Sequence, residues 1–210
     1  MKRILLIVIP ALFGFNQINA QLSLGASGGL NFSNVKLEIK NEGFDALDIK
    51  CVQNYFFGII PKYNFNPKLS VSTDIQYSLK GYMMDGSFND TQFKHVYIDL
   101  IPKAEYQILK WLALGLGFNI GFLVDEKTKL DNNDWHSTKD FATIKSSDFG
   151  LVGSLRGSFK NFFIVISYDY GLTNNINILY TDANGQPLDA SQYNRNLQIG
   201  LGYFFEFKKE

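Results

Sequence analysis

The side chains able to do chemistry are few, and their spacing is the first clue to their use. Asp99, Lys103 and Glu105 stand at i, i+4 and i+6. In an extended chain that spacing puts acid, base and acid on one face. Six more charges, Lys62, Asp74, Lys80, Asp148, Arg156 and Asp169, sit in the same phase of their own segments. Such a set can form a neutralising network of ion pairs, or it can line a narrow ion path. His95 and His136 are the only histidines. Nucleophilic catalysis needs a nucleophile and a base within hydrogen-bond reach. No Ser–His–acid arrangement emerges from these positions, so no catalytic residue is expected and the chain is not read as an enzyme. Asp125, Glu126, Asp131 and Asp134 offer oxygens of the kind calcium takes, but their spacing is not that of an EF-hand, and a solvated acidic loop is the expectation. Neither metal nor cofactor is expected. Gly25, Gly28 and Gly29 lie in an alternating segment with no helix after it, which excludes a dinucleotide loop. The single Cys51 allows no internal disulfide and is expected to behave as a small buried hydrophobe.

These residues belong to a chain of 210 residues, 46% hydrophobic, 15% aromatic and 19% charged. That length suits one domain. Twenty basic and twenty acidic residues give no electrostatic footprint for nucleic acid. The apolar content is too high for a disordered chain. The mean hydropathy of −0.07 resembles that of a soluble protein, but strands that alternate apolar and polar residues hide a membrane surface from any average.

The N-terminus has the layout of a secretory signal peptide. Met1-Lys2-Arg3 is positive, Ile4 to Phe15 is apolar, and Ala20 stands just before Gln21. Residues 1–20 are therefore expected to be cleaved at Ala20-Gln21, leaving 21–210 as the mature domain. The apolar run is short for a spanning helix, which needs about 20 residues. Loss of Lys2 and Arg3 leaves 18 basic against 20 acidic residues.

Beyond the leader the periodicity is two, the strand signal. In Leu69–Lys80 the apolar set is Leu69, Val71, Ile75, Tyr77 and Leu79, with Thr73 among them. The set between is Ser70, Ser72, Asp74, Gln76, Ser78 and Lys80. The pattern recurs in Leu22–Ser33, Asn54–Tyr63, His95–Tyr106, Leu112–Gly121, Asp148–Phe159, Phe162–Gly171 and Asn196–Phe205. Eight segments of about 10–12 residues match the length of a tilted membrane-crossing strand and exceed the usual soluble one. Their apolar faces carry no charge; the nine charges named above all fall on the opposite faces.

The connections alternate in length. Asn34–Gln53, Gly81–Lys94, Val124–Ser147 and Leu172–Arg195 are long; Asn64–Lys68, Gln107–Trp111 and Lys160-Asn161 are short. Short turns on one side and long loops on the other are the pattern of bacterial outer-membrane barrels. A secreted lipocalin-type barrel would instead place the apolar set inside. Three features favour the membrane: polar faces rich in Gly, Ser and Asn, apolar faces ending in aromatics, and the segregation of the connections. The expected fold is all-β, an eight-stranded antiparallel up-and-down transmembrane β-barrel in the outer membrane of a Gram-negative bacterium. Its lumen would be filled by side chains.

Several segments carry a family resemblance. Gly25-Ala26-Ser27-Gly28-Gly29-Leu30-Asn31-Phe32-Ser33, Tyr97-Ile98-Asp99-Leu100-Ile101-Pro102, Asp148-Phe149-Gly150-Leu151, Tyr168-Asp169-Tyr170-Gly171-Leu172-Thr173-Asn174 and the closing Leu197 to Phe205 occur in order. In these the chain resembles the PorT-like small outer-membrane β-barrel proteins, over essentially all of 21–207. The resemblance implies outer-membrane lipid and the barrel assembly machinery as partners, with Leu201, Tyr203 and Phe205 as the assembly signal of the last strand. It further implies a non-enzymatic structural or interaction role, with an accessory part in protein secretion or envelope assembly. A small-solute or ion pore is the alternative, and a lipid-modifying enzyme a more distant one. Envelope or secretion-complex proteins would meet the long loops, where Met83, Met84, Phe88, Trp135 and Tyr180 are the contact candidates. Whether those loops bind partners or bury one another over the mouth stays open.

Overall fold

In the extended segments, side chains at odd and even positions leave the chain on opposite faces, and the residues here sort accordingly. The computed structural model describes residues 22–39, 48–85, 90–131, 133–138, 144–176, 180–181, 187–188 and 190–206. The expected leader and Phe88 lie outside them. Eight long strands form the wall: β1 Leu22–Ile39, β2 Val52–Asn64, β3 Leu69–Asp85, β4 Thr91–Leu109, β5 Leu112–Leu130, β6 Ser147–Phe159, β7 Phe162–Gly171 and β8 Ala190–Glu206. Each pairs antiparallel with its neighbour in the chain, and β8 pairs with β1 from Ser23–Glu206 to Ile39–Ala190, so the sheet closes on itself. Closure leaves no free edge in the wall.

The two faces settle which way the barrel is turned. Its interior is polar: Asn31, Ser78, Asp99 and Asn119 are fully buried, and Gln76, Lys80, Asp148 and Asn196 nearly so. Its exterior is apolar, with Leu116 and Leu201 each 65% exposed and Phe57, Phe118, Ile164 and Ile199 exposed beside them. A water-soluble protein would carry the reverse arrangement. Exposed aromatics mark both ends of the apolar band, with Tyr106, Trp111, Phe159, Phe162 and Phe205 near the short turns and Tyr55, Phe149, Tyr168 and Tyr170 toward the other end. Such girdles sit at the two membrane interfaces.

The short turns match the sequence expectation closely. Asn66 Oδ1 accepts the backbone N–H groups of Lys68 and Leu69, both at 2.8 Å, and fixes the first turn. Lys160 adopts φ 54° in the last, where the chain reverses within two residues.

The long connections differ from expectation. Backbone pairing runs on past the apolar band, because ladder hydrogen bonds do not depend on which solvent the side chains meet. β3 and β4 stay paired out to Met84–Thr91, so the connection expected over Gly81–Lys94 is mostly strand. β5 continues to Leu130, and β1 and β8 remain paired to Ile39–Ala190. Three-residue Asp48–Lys50 adds to the outer end of β3.

One irregularity interrupts the wall. Tyr97 pairs with Leu123 but Val96 pairs with Asp125, so Val124 is the extra residue of a β-bulge in β5. The bulge reverses the phase of β5 above it. Asn119 and Gly121 face inward at odd positions, whereas beyond the bulge it is Glu126 that is buried, opposite His95.

Candidate functional site: the lumen and its mouths

All nine charges expected in the lumen point inward, but they form two networks at different heights. Toward the long-loop end, Lys80 Nζ from β3 lies 3.2 Å from both Asp99 oxygens on β4. It also lies 3.4 Å from Asp169 on β7 and 3.8 Å from Asp148 on β6. The Tyr97 ring covers it at 4.9 Å. Asn119 donates to Asp169 at 2.6 Å, and Asn194 donates to Asp148 at 2.8 Å. Gly121 makes room for this cluster: a Cβ there would lie 2.7 Å from Asp99 Oδ1. One ammonium thus gathers three carboxylates from three strands.

Toward the short turns, Glu105 on β4 takes the Arg156 guanidinium through two hydrogen bonds of 2.6 and 2.5 Å. Lys62 approaches the same carboxylate at 3.2 Å. Lys103 pairs with Asp74 at 2.6 Å. Phe204 lies under Arg156 and Lys62 at 5.1 and 5.3 Å, and Phe163 packs on Phe204 at 4.8 Å. Bidentate Arg–carboxylate pairing of this kind gives geometric specificity as well as energy.

Asp99, Lys103 and Glu105 therefore do not share one network, contrary to the reading of their spacing. Six residues of strand span about 20 Å at ~3.3 Å per residue, so Asp99 and Glu105 belong to different layers. The layers carry opposite balances. The first pairs one cation with three acids, and the second pairs three cations with two acids. Buried Glu126, assigned from sequence to a calcium-binding or solvated loop, stands on the acid-rich side. Its partner in register, His95, is buried and tilted against Tyr82. Hydrogen bonds from Asn31 to Ser78 and Leu79, and from Tyr82 to Gln192, tie further strands across the interior.

The remaining sequence candidates are dispersed. Asp125 pairs with Lys127 at 3.2 Å, and Asp131 accepts the Asp90 N–H at 2.9 Å, so these acids are committed separately. Among the described residues no cluster of His, Cys, Asp and Glu is arranged to hold a metal. His136 is exposed and pairs through its backbone with Thr128, whereas His95 is buried. Cys51 is exposed, not buried, because it stands at the outer end of β2 above the packed wall. Partial burial still pushes its thiol up. Met83 and Met84 lie on β3 itself, half-buried, not in a loop. Trp135 is half-buried with the Lys94 ammonium 4.0 Å from its ring centre. Tyr180 pairs through its backbone with Leu188. On the last strand Leu201 and Phe205 face outward, and the Tyr203 ring meets Phe162 and Phe205 edge-on.

A closed ring with a polar interior and an aromatic-banded apolar exterior is the geometry of a membrane-spanning barrel. A family model described as the outer membrane protein beta-barrel domain matches residues 15–177. The chain belongs to that family. As an outer membrane β-barrel protein it resides in the outer membrane of a Gram-negative bacterium, and its apolar wall faces lipid. Solved structures similar to it include Ail of Yersinia pestis in complex with the heparin analogue sucrose octasulfate, at 18% identity and a TM-score of 0.48, covering 88% of this chain and 99% of that one. OprG of Pseudomonas aeruginosa is 15% identical with a TM-score of 0.47, over 89% of this chain and 97% of its own. Neisserial surface protein A is 12% identical with a TM-score of 0.46, over 90% and 99%. No curated protein matches the chain.

Proposed function

We propose that this outer membrane β-barrel protein is a non-enzymatic scaffold whose working surface is its long-loop end. The observation that carries this reading is the pair of charge networks that fill the lumen. Lys80 bridges carboxylates from three strands, and Glu105 ties β4 to β6 and β2. A small barrel whose interior is taken up by fixed side chains has little room for a substrate or a solute. What it offers instead is a rigid support. The paired extension of β3 and β4 carries Met83 and Met84 beyond the apolar band, and Trp135 packs there against the Lys94 ammonium of β4. Apolar side chains left accessible outside the membrane are a common mark of a contact surface.

Within that reading, the PorT-like resemblance supports an accessory role in protein secretion or envelope assembly, with envelope proteins as partners. Leu201, Tyr203 and Phe205 would serve as the signal to the barrel assembly machinery. Photo-crosslinkers placed at Met84 and Trp135 in living cells test the proposal. The expected result is a discrete heavier species that disappears when the crosslinker is moved to the lipid-facing Ile164. Monomer alone at every outer position would refute it.

A further inference from the structure

The short-turn mouth of the lumen holds a cavity of about 160 Å³, lined among others by Lys62, Lys110, Arg156, Lys160, Gln107 and Asn161. Among the described residues no carboxylate lines it. We propose that it binds a phosphate-class oxyanion, carried either by a free periplasmic anion or by the headgroup of an inner-leaflet phospholipid.

Three observations converge on this. The first is charge. Glu105 is a single acid facing both Arg156 and Lys62, and Asp74 is already engaged by Lys103. Among the described residues Lys110 and Lys160 have no carboxylate partner at all, so the mouth carries a surplus of about three positive charges. The second is preorganisation. Arg156 commits two N–H groups to Glu105, and a guanidinium has five. The Phe163 and Phe204 rings hold its plane at 5.8 and 5.1 Å. Unused donors of a buried, fixed guanidinium are what a tetrahedral oxyanion recognises. The third is size and access. The cavity holds about five water volumes of ~30 Å³, enough for a tetrahedral oxyanion with part of its hydration. Glu105 and its partners close it from the lumen side. The site therefore opens only toward the short turns, which in such barrels face the periplasm. The acid-rich layer around Lys80 repels anions from the other side, so the mouth is a terminus and not the entrance to a path. This inference stands apart from the loop reading above, since it concerns the opposite end of the molecule.

The mature barrel in an uncharged detergent, titrated with inorganic phosphate at constant ionic strength and followed by calorimetry, gives the first arm. Saturable binding is expected, about tenfold weaker in the Lys110→Gln/Lys160→Gln double variant, with sodium chloride a poor competitor. That variant touches only exposed turn residues and leaves the lumen pairs intact. In the second arm, native and double-variant barrels in nanodiscs containing phosphatidylglycerol are stripped of lipid and weighed by native mass spectrometry. Phosphate saturation that the variant loses assigns a free anion. Lipid retained by the native barrel alone, without phosphate saturation, assigns the headgroup. Absence of both effects, or equal binding by native and variant, overturns the proposal.

Discussion

Lys80 has the most consequential side chain in the interior, since three buried carboxylates depend on its charge. Removing one partner from a buried ion pair costs about 3–5 kcal/mol, because the remaining charge has no water to return to. Lys80→Met is therefore expected to lower stability by about that amount in urea unfolding followed by tryptophan fluorescence, and Lys80→Arg to recover most of it. A Lys80→Met protein as stable as the native one would show that the three acids are hydrated or protonated. Cys51 reports on a different matter. It lies on the long-loop side and is exposed, so a membrane-impermeant maleimide should label it in intact cells. The thiolate is the reactive form, and burial pushes this thiol up. Its labelling rate should accordingly keep climbing with pH beyond the range of an ordinary cysteine. Labelling only after the outer membrane is permeabilised would invert the assigned orientation.

Strands show most clearly what a sequence does and does not display. Lipid excludes charge so strongly that every membrane-facing stretch announces itself as an alternation free of Asp, Glu, Lys and Arg. The parity that put Lys62, Asp74 and Arg156 inside comes from that exclusion. Above the band the constraint ends, so nothing in Met83 or Lys127 marks them as strand, although the ladder continues through both. Stagger between strands is equally silent: only the closed register reveals that Asp99 meets Lys80 while Glu105 meets Arg156. The bulge is hidden for another reason, since Val124 sits beside Leu123 and an extra apolar residue blends into its neighbour. Its effect is testable. Deleting Val124 should restore continuous pairing and keep the phase of the outer part of β5, with Glu126 still inward opposite His95 and residue 127 still outward. In a Cys51→Ser background, Lys127→Cys should react readily with maleimide and stay as reactive once Val124 is also removed. Protection of that cysteine on the deletion would mean that Val124 is not the extra residue of the bulge.

At the scale of the whole barrel, the layered interior implies electrical silence. Arg156, Glu105 and Lys62 bridge the lower lumen and Lys80 and its acids bridge the upper, so each layer stands across the path an ion would take. Planar bilayers containing the purified protein should show no steady opening on the order of a nanosiemens, the conductance an open aqueous channel would carry. Steady openings of that size would make the protein a pore after all. The closure of the ring has a further consequence, in time. Seven of its seams join strands that are consecutive in the chain and can form as local hairpins, whereas the eighth, from Ser23–Glu206 to Ile39–Ala190, joins the first strand to the last. Such a contact demands the longest search the chain can make. Until it is found, β1 and β8 each present an unsatisfied edge to any neighbouring polypeptide. The last strand to be synthesised is thus the one that ends the period in which the protein is sticky, and the pace of that final zipping governs how long it needs an escort.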